Sequence, residues 1–511
     1  MTTTTLAAKP LFDGREWTFD TLSRTYDAIE EIATNDLGLD TYPNQLEIIS
    51  AEQMLDAHSS VGMPLMYPHW SFGKHFVREE KAYRKGYSGL AYEIVINSNP
   101  CISYNMEQNS MPIQTLVMAH AAFGHNHFFK NNYLFQQWTD ASSVLDYLEY
   151  AKRFVARCEE EHGSAAVETI LDAAHAIMDH GVSRYPRPQQ PTKVERERRA
   201  EEIREHRETT FNDLWRTVPT RAEDDDTKDE EETKGPALDL NLPEENLIYF
   251  VETYSPVLED WQRELLSIVR YVAQYFYPQR QTKVMNEGCA TFTHHYIVNE
   301  MFDRGLLTEG AMLEILHSHS SVVYQTDFDD PRYGGLNPYA LGFGMMQDIQ
   351  RICTEPKPED EEWFPDIAGC GDWRGVLKEA WANYRDESFI RQYLSPRMIR
   401  SLRLFSLADD SEERHYTVTT IHDESGYRGL RERLATSYEI GLVEPDIQVI
   451  DADLRGDRTL RLQHTMRDRI PLAEKTRDEV LRHLRQLWGY DVSLVGVDHE
   501  SDSKVYETRV S

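Results

Sequence analysis

Apolar residues recur at three-to-four spacing through Trp17–Leu37 (Leu22, Tyr26, Ile29, Ile32), which predicts an amphipathic helix. The same reading continues through Tyr42–Ala57 after a proline-bearing turn. MPLMYPHWSFGKHF, rich in Pro, Gly and aromatics, reads as a loop carrying His69 and His75. Tyr92–Ile96 alternates and is β-branched, so a short strand is expected there, ending at NSNPCISY. Met111-Pro112 opens a helix, because proline is well tolerated where its missing N–H would have no partner. That helix runs through TLVMAHAAFGHNHFFKNN, residues 115–132. Further helices are expected at Trp138–Cys158, Ala165–His180, a long aromatic one from Asn246 to Gln279, Lys283–Asn299, Leu307–Val323, a segment through Cys353, Trp373–Tyr384 and Asp386–Leu394.

After Ser406 the period changes to two. YTVTTIH, DIQVIDADLR, TLRLQHT and DVSLVGV alternate, with helix-like segments at Tyr427–Gly441 and Ala473–Trp488 between them. GDR at 456–458 reads as a hairpin turn, with Gly456 free to take a positive φ. The expected fold is mainly α, a large multi-helix N-terminal domain over residues 1–404 that is zincin-like in its ligand pattern, followed by a smaller α+β domain over 405–511. A charged insertion at 187–240 interrupts the first domain. From Glu223 to Glu232 it is almost wholly acidic, and like-charge runs of that kind resist compaction.

Composition narrows the function classes. The chain carries 54 Lys and Arg against 87 Asp and Glu, a formal net charge of −33. Nucleic-acid binding needs a concentrated basic surface, and an anionic membrane needs the same, so both are disfavoured. An acidic surface suits solubility in concentrated salt and raises the expectation of a salt-loving source. No run approaches the roughly 20 apolar residues of a membrane span, and MTTTTLAAKPLFDGREW has no secretory pattern, so a cytoplasmic place is expected. The five cysteines are scattered without a C-x-x-C pair, which speaks against a disulfide framework or a Cys-type zinc site.

The candidate chemistry lies in two stretches. HAAFGHNH places His120, His125 and His127 in an otherwise apolar run, and NEGCATFTHH supplies Glu287 and His294. Zinc peptidases hold their ion with two histidines four apart on one helix and a glutamate from a later one. Here His120 and His125 are five apart, so only a π-bulge would bring both to one face. No glutamate follows His120, so a general base must come from elsewhere, with Glu107, His127 and His294 as candidates. A metal centre with His120, His125 and Glu287 as ligands, zinc foremost, thus stands beside metal-free acid–base chemistry and a purely structural buried network. His317 with His319 reads as a helix-end polar cluster, DFDDPRYGG as a turn, and no phosphate-binding glycine motif is present.

Across most of the chain HWSFGKHF, YEIVINSNPCISY, TLVMAHAAFGHNHFFKNNYLF, ETYSPVLEDWQRE, YFYPQRQTKVMNEGCATF, FDDPRYGGLNPYALGF and NYRDESFI resemble the stage V sporulation protein R (SpoVR) family. IQVIDADLRGDRTL and LRHLRQLWGY are similar to that family's smaller domain. The resemblance implies a cytoplasmic protein, tied in spore-formers to the spore cortex and elsewhere to stress or starvation. It also implies two partners, a serine protein kinase and a von Willebrand A-like protein, but no particular reaction. With the acidity it suggests a haloarchaeal member. Two functions compete: a metal-binding, hydrolytic centre, and a non-enzymatic regulatory partner of the kinase.

Overall fold

The computed structural model describes residues 9–59, 66–70, 93–184, 240, 242–328, 330, 333–408, 417–420, 423–467 and 471–511. His75, Asp329 and nearly all of the charged insertion lie outside the described residues. The chain gathers into two compact units, one formed by Met1–Met178 with Leu258–Pro445 and the other by Asp179–Val257 with Asp446–Ser511. Residues 406–445 therefore group with the helical unit, beyond the boundary expected at 404. The protein is mostly helical with a small C-terminal α/β region. Among the described residues no helix is long and apolar enough to cross a membrane.

In the larger unit α1 (Phe19–Asn35) begins at Thr18, whose hydroxyl accepts from the Thr21 N–H and closes a capping box. It buries Leu22, Ile29 and Ile32 of the positions its periodicity marks, with Tyr26 half-buried and Ala33 buried beside them. The expected continuation through Tyr42–Ala57 is corrected: Asn44–Ile49 is strand β1, and only Ala51–Ser59 is helical. β1 runs parallel to β3 (Cys101–Met106), and β2 (Glu93–Ile96) lies antiparallel on the other side of β3. NQLEII has no helical stripe strong enough to outweigh the ladder that β3 offers, and β-branched Ile48 and Ile49 suit a pleated surface.

The hub is α4 (Lys283–Asp303), buried along most of its length. Two helix pairs approach it through glycine. A Cβ at Gly342 of α6 (Pro338–Thr354) would sit 2.1 Å from the Val284 carbonyl oxygen. A Cβ at Gly124 would sit 2.4 Å from the Ala290 Cα. Only glycine permits backbones to come this close, so the segments on both sides of α4 press directly against it. The N-terminus of α4 is capped from afar: the Asp386 carboxylate accepts from the N–H groups of Val284 and Met285, each at 2.8 Å. A carboxylate there satisfies open donors and the positive end of the helix dipole. Around this hub stand α2 (Met111–Met118), α3 (Asn126–Asn131), α5 (Glu309–Val322), α7 (Trp373–Asn383) and α8 (Asp386–Tyr393).

The long helix expected from Asn246 to Gln279 is two helices, Leu247–Tyr254 and Asp260–Gln281. Pro256 lacks the N–H that would continue the ladder, and Ser255 before it turns extended (φ −57°, ψ 129°). The first helix belongs to the smaller unit, where Phe250 stacks on Trp488 at 5.8 Å. That unit's sheet has four strands in sequential order: β4 (Asp446–Ala452), β5 (Leu460–Met466), β6 (Val492–Asp498) and β7 (Lys504–Val510). β5 and β6 are parallel, as their connection through α9 (Glu474–Trp488) requires, and the outer pairs are antiparallel. In the β4–β5 turn the positive φ falls on Arg458 (57°) rather than on Gly456. There the Asp453 carboxylate accepts from the N–H groups of Arg455 and Gly456 and sets the bend.

Candidate metal centre

The segment Ala119–His125 is π-helical, continuous with α2 before it and α3 after it. One π turn advances about five residues per contact, so His120 and His125 face the same way. Their rings lie 4.6 Å apart at 88°. The five-residue spacing that breaks an α-helical motif is the spacing a π turn needs.

Each ring is held from behind. Nδ1 of His125 lies 2.9 Å from the Asn286 amide oxygen, which only accepts, so Nδ1 carries the proton and Nε2 a lone pair. Nδ1 of His120 lies 2.9 Å from Nδ1 of His294, whose Nε2 in turn lies 2.8 Å from Nδ1 of His319. The free edges point into one space. His125 Nε2 is 3.5 Å from Glu287 Oε2, and His120 Nε2 is 3.9 Å from the same oxygen and 3.7 Å from Glu93 Oε1. Ligand atoms of Glu93, His120 and His125 all lie within 4.8 Å of one another, the one such trio among the described residues. Glu287 Oε2 is buried without a hydrogen-bond partner, and burial, then the Glu287 and Glu93 carboxylates near it, push the Tyr339 hydroxyl pKa up. Tyr339, in the first turn of α6, lies nearly parallel to the His120 ring at 6.4 Å.

Burial sets the electrostatics. Desolvation, then the neighbouring histidines, pushes the pKa of His120 and of His294 well below the ordinary imidazole value. Burial, with Glu287 beside it, pushes the Glu93 carboxyl up to about 8. Donors bound at about 2.0–2.2 Å around a tetrahedral ion lie roughly 3.3–3.6 Å from each other. The separations of 3.5, 3.7 and 3.9 Å are close to those edges, and a bare buried carboxylate oxygen is what a cation would satisfy. The residues fit a divalent ion with mixed nitrogen and oxygen donors.

Of the candidates drawn from sequence, His120, His125 and Glu287 converge, and His294 sits directly behind His120. His127 does not join them. The Asp40 N–H donates to its Nδ1 at 3.0 Å, its ring packs edge-on to Trp381 at 5.6 Å, and burial lowers its pKa to about 4. Glu107 is exposed beyond the end of β3, where the Gln108 amide donates to its carboxylate at 3.0 Å. Neither position supports a role as base at the centre. His319 is buried in the relay behind His294, whereas His317 is exposed. Asp327 begins a turn closed by the Asp330 N–H at 3.1 Å and pairs with Arg403 at 3.2 Å. Glu93, Asn286 and Tyr339 were not among the candidates. Asn286 adjoins Glu287 and shares its helix face toward the π turn. Glu93, by contrast, looks in sequence like any polar residue of an alternating strand.

Fold and site together define a mainly helical protein built around a buried histidine–glutamate centre, with a small α/β region after it. Residues 16–443 match the family described as SpoVR like protein, and residues 445–499 match the SpoVR-like C-terminal domain. The chain belongs to the SpoVR family. It is 51% identical over 498 residues to "Uncharacterized protein YcgB" of Escherichia coli (strain K12), covering 97% of this chain and 96% of that one. The expected haloarchaeal source finds no support in a relative from Escherichia coli at that identity. No solved structure matches the chain.

Proposed function

We propose that this protein binds a divalent metal, zinc foremost, through His120, His125 and Glu287, and that the centre is hydrolytic. The observation that carries this is the convergence of the two Nε2 edges with the partnerless Glu287 Oε2. An ion held by three protein groups with an open position would supply Lewis acidity toward water or a carbonyl. Glu93, within 3.7 Å of His120 Nε2, takes the place of the glutamate missing after His120 as the group that accepts a proton. Tyr339 closes the site beside the His120 ring, with its hydroxyl near the Glu287 carboxylate. His294 and His319 set the His120 tautomer. With the Nε2 lone pair forward, Nδ1–H donates to His294, whose Nε2–H donates to His319. The zincin-like parallel lies in ligand types and helix order, with a π turn replacing the α-helical pair.

Elemental analysis of protein purified without added metal tests the centre. About one metal per chain is expected, and none in Glu287→Gln. A metal-free wild type whose melting is unmoved by zinc or by chelator would sink the proposal. A cytoplasmic role in stress or sporulation, with the serine protein kinase and the von Willebrand A-like protein as partners, rests on the family resemblance. Co-purification with those two proteins tests it separately.

A further inference from the structure

Away from the centre, two cysteines sit on stretches that are bonded to each other. Cys353 is buried in the last turn of α6, and Cys370 is exposed in the loop before α7. Backbone bonds hold the two stretches together: the Gly369 N–H donates to the Ile352 carbonyl at 2.9 Å, and the Gly371 N–H to the Cys353 carbonyl at 2.8 Å. Cys370 lies between these anchored glycines, whose φ values of 70° and 75° give the loop a sharp course that other residues rarely adopt. After burial, the neighbouring Cys370 thiol is what raises the pKa of the Cys353 thiol. Cys101 and Cys289 direct theirs to the backbone carbonyls of Ile96 and Gly124.

From this geometry we infer that Cys353 and Cys370 form a reversible disulfide in response to hydroperoxides. Two backbone hydrogen bonds bracket the pair, from the residues on either side of Cys370 to Ile352 and Cys353, and so hold the two backbones side by side, as the roughly 4.4–6.8 Å between the Cα atoms of a disulfide demands. The accessible thiol and the sheltered one take different parts. Cys370, as thiolate, attacks the peroxide O–O bond, keeps one oxygen as a sulfenic acid and releases the other as water or alcohol. Cys353 then attacks the Cys370 sulfur, the S–S bond forms, the S–O bond breaks, and the oxygen departs as water. The two thiols lose two protons and two electrons, and the peroxide takes them up. A dithiol reductant reverses the step by exchange. The bond ties the C-terminal turn of α6, the helix that carries Tyr339 at its other end, to the loop leading into α7.

The test treats the full-length chain with dilute hydrogen peroxide, alkylates it under denaturing conditions and maps the peptides. Fully reduced protein should show all five thiols alkylated. Oxidised protein should show three, with a linked Cys353–Cys370 peptide pair about 2 Da lighter than the two thiols, restored by dithiothreitol. The oxidised form should also melt higher than the reduced one. Cys370→Ser, an exposed change, should abolish the linked pair and the melting difference together. Five free thiols after peroxide, a sulfinic acid at Cys370 without linkage, or a different cysteine pairing would each overturn the assignment.

Discussion

The larger unit holds two groups of buried histidines, and they differ in what their second nitrogen meets. In one group, formed by residues 66–70 and the helix Ser164–Ala176, His69 Nε2 lies 3.1 Å from the Asp172 carboxylate and His175 Nε2 lies 2.6 Å from the Tyr67 hydroxyl. Their rings touch edge-on at 4.4 Å, and each Nε2 has a close protein partner. At the centre, His120 and His125 are bonded through Nδ1, and their Nε2 edges face carboxylates at 3.5–3.9 Å, too far for a good hydrogen bond. Both groups are concentrations of imidazole in a packed interior. Only one leaves lone pairs converging on a gap. The His69–His175 group shows what a satisfied structural histidine cluster looks like, and the centre departs from it by leaving its Nε2 edges without such close partners.

Changing Glu287 to Gln should break this contrast most severely. It keeps the shape of the side chain but removes the charge beside both Nε2 edges, so zinc affinity should fall more than about 100-fold, a loss above roughly 2.7 kcal/mol. His175→Gln should leave affinity unchanged, and competition with a chromogenic chelator reads both. Equal losses in the two variants would erase the distinction. His294→Leu removes the partner behind His120 and should weaken zinc binding about 10- to 100-fold, as loss of such orienting contacts does elsewhere. Gly124→Ala forces a Cβ to within 2.4 Å of Ala290 Cα. It should cost about 1–3 kcal/mol in chemical denaturation and weaken metal binding with it, since His120 and His125 both ride on that turn.

The smallest effect concerns pH. Burial, then His69, lowers the His175 pKa from its ordinary 6.5 to about 4. The unfolded chain therefore binds a proton there before the folded one does. The native advantage is whole above pH 6.5 and declines as pH falls from 6.5 toward 4. Partial exposure holds the effect to about 1 kcal/mol. His175→Gln should flatten that part of the stability profile between pH 7 and 5, and an unchanged slope would show that the cluster is not closed as described.

Local chemistry in the chain determined a good deal. The helix from Met111, the pairing of Glu287 with two histidines across the insertion, and the need for a π turn between His120 and His125 all follow from residue types and spacing. The alternating C-terminal segments likewise declare strands, because period two is a property of the chain itself. Tertiary structure alone decided that Asn44–Ile49 is a strand, since its partner β3 lies more than fifty residues onward. It alone brought Glu93 to the centre, because which face of β2 is covered depends on the π turn packed against it. And it alone withdrew His127, which shares a helix with His125 but meets the Asp40 backbone instead of the gap. Spacing along a helix sets which side chains share a face; what that face meets is set by the elements packed on it.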